Sequence, residues 1–161
     1  MAVLAANAGV RAVSLISWQD RYSVGVDAFD YDHKILVDLI NQLHEAYAAG
    51  KGPDALRPAF DLLMEYTDKH FEREEALMRE HGYPDLDDHI RAHNALREQV
   101  LSYHRDFNAG RTRGLFIELL GFLNNWLRLH ILEEDMAYKD FFQARGINQQ
   151  PVEDLPAPEG E

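Results

Sequence analysis

The chain of 161 residues contains no cysteine, so it has no disulfide, no thiolate metal ligand and no catalytic thiol. Positive charge is also scarce, because 16 lysine and arginine residues stand against 28 acidic ones and leave a formal net charge of −12. Clustered basic residues bind phosphate backbones, so we expect no nucleic-acid partner. No uninterrupted apolar run approaches the ~20 residues that span a bilayer, so we expect no membrane partner. The absence of cysteine fits a cytoplasmic protein, which we expect.

Apolar residues recur with the 3.6-residue period of an α-helix in four long segments, and none of these alternates with the period of a strand. The segments cover about residues 29–48, 54–80 and 86–108, with Asp85 as a possible cap of the third. The fourth begins after Thr112, its expected N-cap, and ends near Gln143. Short joins place consecutive helices antiparallel. The sequence therefore predicts an all-α, up-down-up-down antiparallel four-helix bundle.

Three parts of the chain differ in composition. Residues 1–17 are predicted to be an N-terminal extension, and the arm before the first helix is expected to be extended, with Trp18 and Tyr22 packed on the bundle. Residues 18–145 are predicted to form the bundle itself. Residues 146–161 are acidic, contain prolines and have too few apolar residues for a packed core, so this tail is expected to be disordered.

Five histidines lie on the apolar faces of the predicted helices: His33, His70, His89, His93 and His130. Glu74 follows His70 by four residues and His93 follows His89 by four, so each pair projects from one helix face. Across each connection between two helices, the candidate ligands on either side lie at similar numbers of residues from it. Because neighbouring helices are antiparallel, this places the whole set at one level of the core.

A single histidine on an apolar face is usually a hydrogen-bonded core residue, and His44, His81 and His104 are interpreted in that way. That interpretation fails for the set of five, because a carboxylate buried among imidazoles without a cation costs several kcal/mol. Imidazole and carboxylate ligands without sulfur favour iron, manganese or zinc. Five histidines exceed what one such ion takes from a protein, so two carboxylate-bridged ions fit better. The Glu-x-x-His pattern of ferritin-like di-iron proteins is absent from the sequence.

Four motifs occur in order along the chain: DYDH ending at His33, HFEREEALM beginning at His70, YPDLDDHIRAH ending at His93 and WLRLHILEED ending at Asp135. They resemble the motifs of hemerythrins and bacteriohemerythrins, over roughly Trp18 to Gln143. The resemblance implies an O2-binding site with two Fe ions per chain and an oxo or hydroxo bridge between them.

The resemblance also implies a role for each matching residue. It assigns a set of histidines to each iron: His89, His93 and His130 to one, and His33 and His70 to the other, which keeps an open position for O2. Glu74 and Asp135 would bridge the two irons. Judged by position relative to these ligands, four residues are expected to line the O2 pocket while also packing in the core: Leu36, Phe71, Trp126 and Leu127.

Spacing and resemblance disagree about the second bridge. Glu134 shares a helix face with His130, whereas Asp135 is rotated by about 140° in an ideal α-helix. The family motif has aspartate at the fifth position, and a π-type widening of the turn could bring it round. We predict Asp135, with Glu134 as the alternative. Asp32 replaces a common glutamine and is expected to face away from the metals with little effect, and Glu75 is interpreted as part of a solvated helix face.

The predicted function is O2 storage, transport or sensing, without catalysis. An enzyme that reduces peroxide or nitric oxide is an alternative, and the lifetime of the O2-bound form would discriminate between the two. A module that signals O2 or redox state to a protein partner is a third possibility, and the sequence does not identify such a partner.

Overall fold

The computed structural model describes residues 14–152, and within that range the chain is helical without strands. A 3-10 turn at Asp20–Tyr22 precedes α1 (Asp27–Ala48), α2 (Pro53–Glu80) and α3 (Leu86–Asn108). The fourth helical segment consists of α4 (Leu115–Leu129), a π-helical turn (His130–Asp135) and α5 (Met136–Ala144). Both α1 and α3 pack on α2 and on α4. The predicted all-α four-helix bundle is confirmed.

Glycines with a left-handed backbone set the helix ends. Gly50, Gly82 and Gly110 follow α1, α2 and α3 with φ of 71°, 67° and 88°, a region that other residues rarely adopt. The prediction that Thr112 caps the fourth helix was wrong, because α4 begins after Gly114, whose φ is 72°. The carbonyl of Thr112 instead accepts a hydrogen bond from the amide of Leu115 in a turn.

The fourth helical segment, Leu115–Ala144, is long and apolar enough to cross a membrane by length and composition alone. No uninterrupted apolar run in the sequence had indicated such a segment. The core of the bundle accounts for its apolar character, since Leu119, Leu123 and Leu127 are at most 2% exposed. A buried helix of a globular bundle meets the same criteria as a membrane span.

The chain before α1 packs against that helix, as expected for Trp18 and Tyr22. Tyr22 is buried, and Trp18 packs partly buried against the core. The backbone of Ile16 exchanges two hydrogen bonds with the side chain of Asn41, at 3.0 and 2.8 Å. The rest of the predicted N-terminal extension, residues 1–13, lies outside the described residues.

The chain after α5 returns to the start of α1 and satisfies its first amides. The side-chain oxygen of Asn148 accepts a hydrogen bond from the amide of Asp27 at 2.8 Å. The carbonyl of Gln149 accepts one from the amide of Ala28 at 2.9 Å. These bonds replace a local cap, because Val26 at the N-cap offers no side-chain acceptor. The first residues of the predicted tail are therefore ordered here, while residues 153–161 lie outside the described part.

Candidate metal centre

Side chains from all four helical segments meet in one buried layer of the bundle. The layer consists of five histidines and two carboxylates, each at most 5% exposed: His33, His70, Glu74, His89, His93, His130 and Asp135. Their potential ligand atoms form two groups, each within 4.8 Å. One joins His89, His93 and His130 to Glu74 and Asp135, and the other joins His33 and His70 to the same two carboxylates. The two groups therefore share both carboxylates.

The π-helical turn His130–Asp135 explains how Asp135 enters the layer. A π-turn closes its hydrogen bonds over five residues, so the fifth residue after His130 returns towards the same face. The Asp135 oxygens lie 3.0 Å from Nε2 of His130 and 3.0 Å from Nε2 of His33. The Glu134 side chain remains 43% exposed and contacts Nδ1 of His130 from outside.

Several polar atoms that point into the layer have no hydrogen-bond partner among the described residues. They are Nε2 of His33, His70, His93 and His130, Oε1 of Glu74 and both oxygens of Asp135. Buried polar atoms are nearly always satisfied, and each unsatisfied one costs about 1–3 kcal/mol. Imidazole nitrogens and carboxylate oxygens that converge in this way fit first-row metal cations such as iron. The residues present therefore fit a two-metal centre.

The charges within the layer are strongly coupled. Burial lowers the pKa of His130, but Asp135 outweighs this effect and raises it to about 10. Burial and the nearby Glu74 raise the pKa of Asp135, but contacts with His130 and His33 lower it to about 2. Glu74 also has a pKa well below its ordinary value, because its histidine neighbours outweigh the effect of burial. Both carboxylates are thus held in the anionic form that binds a cation, and metal binding displaces a proton from His130.

Carboxylates also support three of the histidines from outside the layer. Each contact is made to Nδ1: His70 to Asp32 at 2.9 Å, His93 to Glu75 at 2.8 Å, and His130 to Glu134. A carboxylate that accepts the Nδ1 proton fixes the tautomer and the ring orientation, so that the Nε2 lone pair faces inward.

The expectation that Asp32 has little effect was wrong, because this residue is 1% exposed and supports His70. It also accepts the Tyr66 hydroxyl at 2.7 Å and two guanidinium N–H groups of Arg73 at 2.9 Å. Burial raises the pKa of Asp32, but the bonds from His70 and Arg73 outweigh this effect and lower it to about 2. The sequence signal was the position of Arg73 three residues after His70, on the α2 face that meets α1.

Glu75 was also interpreted wrongly as part of a solvated face. Its side chain is only 14% exposed and accepts from His93. Adjacent Glu74 and Glu75 therefore contact different kinds of histidine nitrogen. Glu74 contacts Nε2 atoms inside the layer, and Glu75 contacts Nδ1 of His93 from outside it. His44, His81 and His104 do not join the two groups of ligand atoms.

Two of the residues predicted to line an O2 pocket contact the histidines directly. The Phe71 ring stacks on His93 with centroids 3.7 Å apart and planes at 9°. The Trp126 ring stacks on His130 at 5.5 Å and 27°. Leu36 and Leu127 are buried, and Trp126 is partly buried against the core. That these side chains line an O2 pocket stays a prediction.

Comparison with known proteins supports the same kind of site. The model of the hemerythrin HHE cation binding domain matches residues 24–142. The bacteriohemerythrin of Stenotrophomonas maltophilia (strain R551-3) is 35% identical over 137 residues, 85% of this chain and 87% of that protein. The bacteriohemerythrin of Pseudomonas aeruginosa (strain LESB58) is 37% identical over 123 residues, 76% of this chain and 78% of that protein. A solved hemerythrin point mutant aligns with a TM-score of 0.69 and 26% identity, over 80% of this chain and 97% of that one.

The adjacent acidic residues after His130 provide a direct test of the site. Asp135→Asn should abolish binding of two metals per chain, because it removes an anionic oxygen pair from both ligand groups. Glu134→Gln should retain both metals, because its amide oxygen can still accept from His130. Elemental analysis of the purified variants measures the difference, and the reverse pattern would identify Glu134 as the ligand.

Proposed function

Because this chain belongs to the hemerythrin family, we propose that it is an O2-binding protein with a di-iron centre in the buried layer. The observation that carries this proposal is the sharing of Glu74 and Asp135 between two groups of ligand atoms. Two iron ions held in this way can together supply the two electrons that O2 takes up on binding. The role of the protein would be O2 storage, transport or sensing in the cytoplasm.

Each ligand group would hold one iron ion. In this assignment the ligands other than the bridges divide into two sets: His89, His93 and His130 at the first iron, and His33 and His70 at the second. Glu74 and Asp135 would hold both ions, and an oxo or hydroxo group derived from solvent would complete the centre. The second iron would have one histidine fewer, so the open position for O2 would belong there.

Apolar residues would protect this open position from water. The proposed lining consists of Leu36, Phe71, Trp126 and Leu127, whose side chains are apolar apart from the indole N–H of Trp126. A dry pocket disfavours the escape of charged reduced oxygen species and so favours reversible binding. Retention of O2, rather than its conversion, is the expected consequence.

The polar groups near the layer support binding rather than catalysis. Asp32 is fully engaged by His70, Tyr66 and Arg73, so it is not free to deliver a proton. Burial and the charges of Asp135 and Glu74 raise the pKa of the Tyr138 hydroxyl well above its ordinary value. A general acid works best when its pKa lies near the working pH, and neither group has such a pKa. We therefore propose that O2 binding does not lead to enzymatic turnover.

An optical titration with O2 tests the proposed function. The purified protein should contain two irons per chain, and adding O2 to the anaerobically reduced form should produce iron charge-transfer bands without haem absorption. Removing O2 should restore the reduced spectrum. One zinc per chain with no oxygen-dependent colour would contradict the proposal, and rapid consumption of O2 would show an enzyme instead.

The proposed pocket can be tested with two leucines of the same helix. Leu36→Ala should speed autoxidation by admitting water, and it should cost about 2–5 kcal/mol of unfolding free energy through the cavity it leaves. Leu43 is equally buried but lies two turns away, so Leu43→Ala should cost similar stability and leave autoxidation unchanged. Equal autoxidation rates in the two variants, measured from the decay of the O2-bound spectrum, would place Leu36 outside the pocket.

A further inference from the structure

A surface cleft of about 330 Å³ leads to one of the histidines of the layer. His89 borders the cleft, and four carboxylates line it: Asp85, Asp88, Glu133 and Glu134. No lysine or arginine is among the lining residues. The walls between the carboxylates include Ala92 and Ala137, whose short side chains leave the cleft open. An acidic surface opening therefore ends at a candidate metal ligand.

His89 differs from three of the other histidines at the outer nitrogen of its ring. His70, His93 and His130 each have Nδ1 fixed by a carboxylate, whereas Nδ1 of His89 has no hydrogen-bond partner within residues 14–152. Its Nε2 faces the layer and makes a hydrogen bond with Glu74 at 3.0 Å. Because the ring is 95% or more buried and its Nε2 points inward, its unpartnered nitrogen lies on the side of the cleft.

None of the other four histidines of the layer combines these features. His33 is also without a carboxylate at Nδ1, but it is 0% exposed and borders no described cleft. His130 borders a neighbouring cleft, but Glu134 holds its Nδ1. Among the five histidines of the layer, His89 alone combines an Nδ1 without a carboxylate partner and a described cleft beside it.

The charges around the cleft favour entry of a cation. Asp88 contacts Arg91, and Glu134 contacts His130, so the charges of these two carboxylates are partly compensated. Asp85 and Glu133 are exposed and have no ion pair among the described residues. A cleft lined by charge of one sign concentrates ions of the opposite sign and raises their association rate.

We infer that this cleft is the loading route for the divalent metal. Asp85 and Glu133 hold the hydrated cation first, and Nδ1 of His89 then binds it at the inner end of the cleft. When the ring turns inward with the metal, it gives up the hydrogen bond between its Nε2 and Glu74, and that carboxylate is the next ligand. The metal passes from His89 to the shared carboxylates Glu74 and Asp135. The inference rests on the proposed di-iron function for the destination of the metal, but it concerns only the path by which the metal arrives.

The rate of cobalt uptake tests this route. Metal-free full-length protein is mixed with Co²⁺ in a stopped-flow instrument, and the visible absorption of bound Co²⁺ is followed at low and high salt. The variant Asp85→Asn/Glu133→Gln should load about threefold to tenfold more slowly at low salt, because the focusing charge is removed. The difference should shrink at high salt, which screens exposed charges.

A matched variant controls for net charge. Asp54→Asn/Glu98→Gln also removes two exposed carboxylates, but from helix positions remote from the cleft, and it should load at the wild-type rate. Ala137→Leu narrows the cleft without a change of charge and should slow loading at every salt concentration. All variants should reach the wild-type final metal content, which shows that their ligands are intact.

Three results would overturn the loading route: wild-type uptake by the Asp85/Glu133 variant, equal slowing of the matched control, or no effect of Ala137→Leu. A wild-type protein that binds fewer than two Co²⁺ ions would instead count against the di-iron function. The comparison of uptake rates would still decide whether the metal enters past His89.

Discussion

The structure depends on the burial of two carboxylates, Glu74 and Asp135, among five imidazoles. Removing an ion from water costs several kcal/mol, and the bundle recovers this cost only if opposite charge meets the carboxylates at the same level of the core. Every helical segment therefore has to present its polar residue at one height. The registers of the four segments, the π-turn after His130 and the choice of aspartate at position 135 all satisfy this requirement.

The same constraint extends outward through the histidines. A ring that faces a metal with Nε2 leaves Nδ1 to be satisfied elsewhere, and Asp32, Glu75 and Glu134 meet this need for three of the rings. The Asp32 charge is balanced in turn by Arg73 and by the Tyr66 hydroxyl. His89 is different, because its outer side borders an acidic cleft rather than a fixed carboxylate. Support and access are thus distributed unequally around the layer: three rings have a carboxylate at Nδ1, and His89 has an acidic cleft there.

Features set by local periodicity could be predicted from the sequence, whereas contacts between helices could not. The 3.6-residue pattern and the four-residue spacings of His70 with Glu74 and of His89 with His93 predicted the helices and the layer. Ideal helix geometry favoured Glu134, whereas the family motif favoured Asp135. No local signal in the sequence marks the π-turn that brings Asp135 into the layer. The roles of Asp32 and Glu75 depend on partners in another helix. The start of α4 at Gly114 depends on a left-handed turn that the capping pattern at Thr112 did not reveal.

Anomalous diffraction at the iron absorption edge, from crystals of the iron-loaded protein, tests the central claim most directly. The account predicts two iron peaks in the buried layer, one bound by His89, His93 and His130 and the other by His33 and His70. Glu74 and Asp135 should contact both peaks. A single peak, or two peaks bridged by Glu134 instead of Asp135, would contradict it.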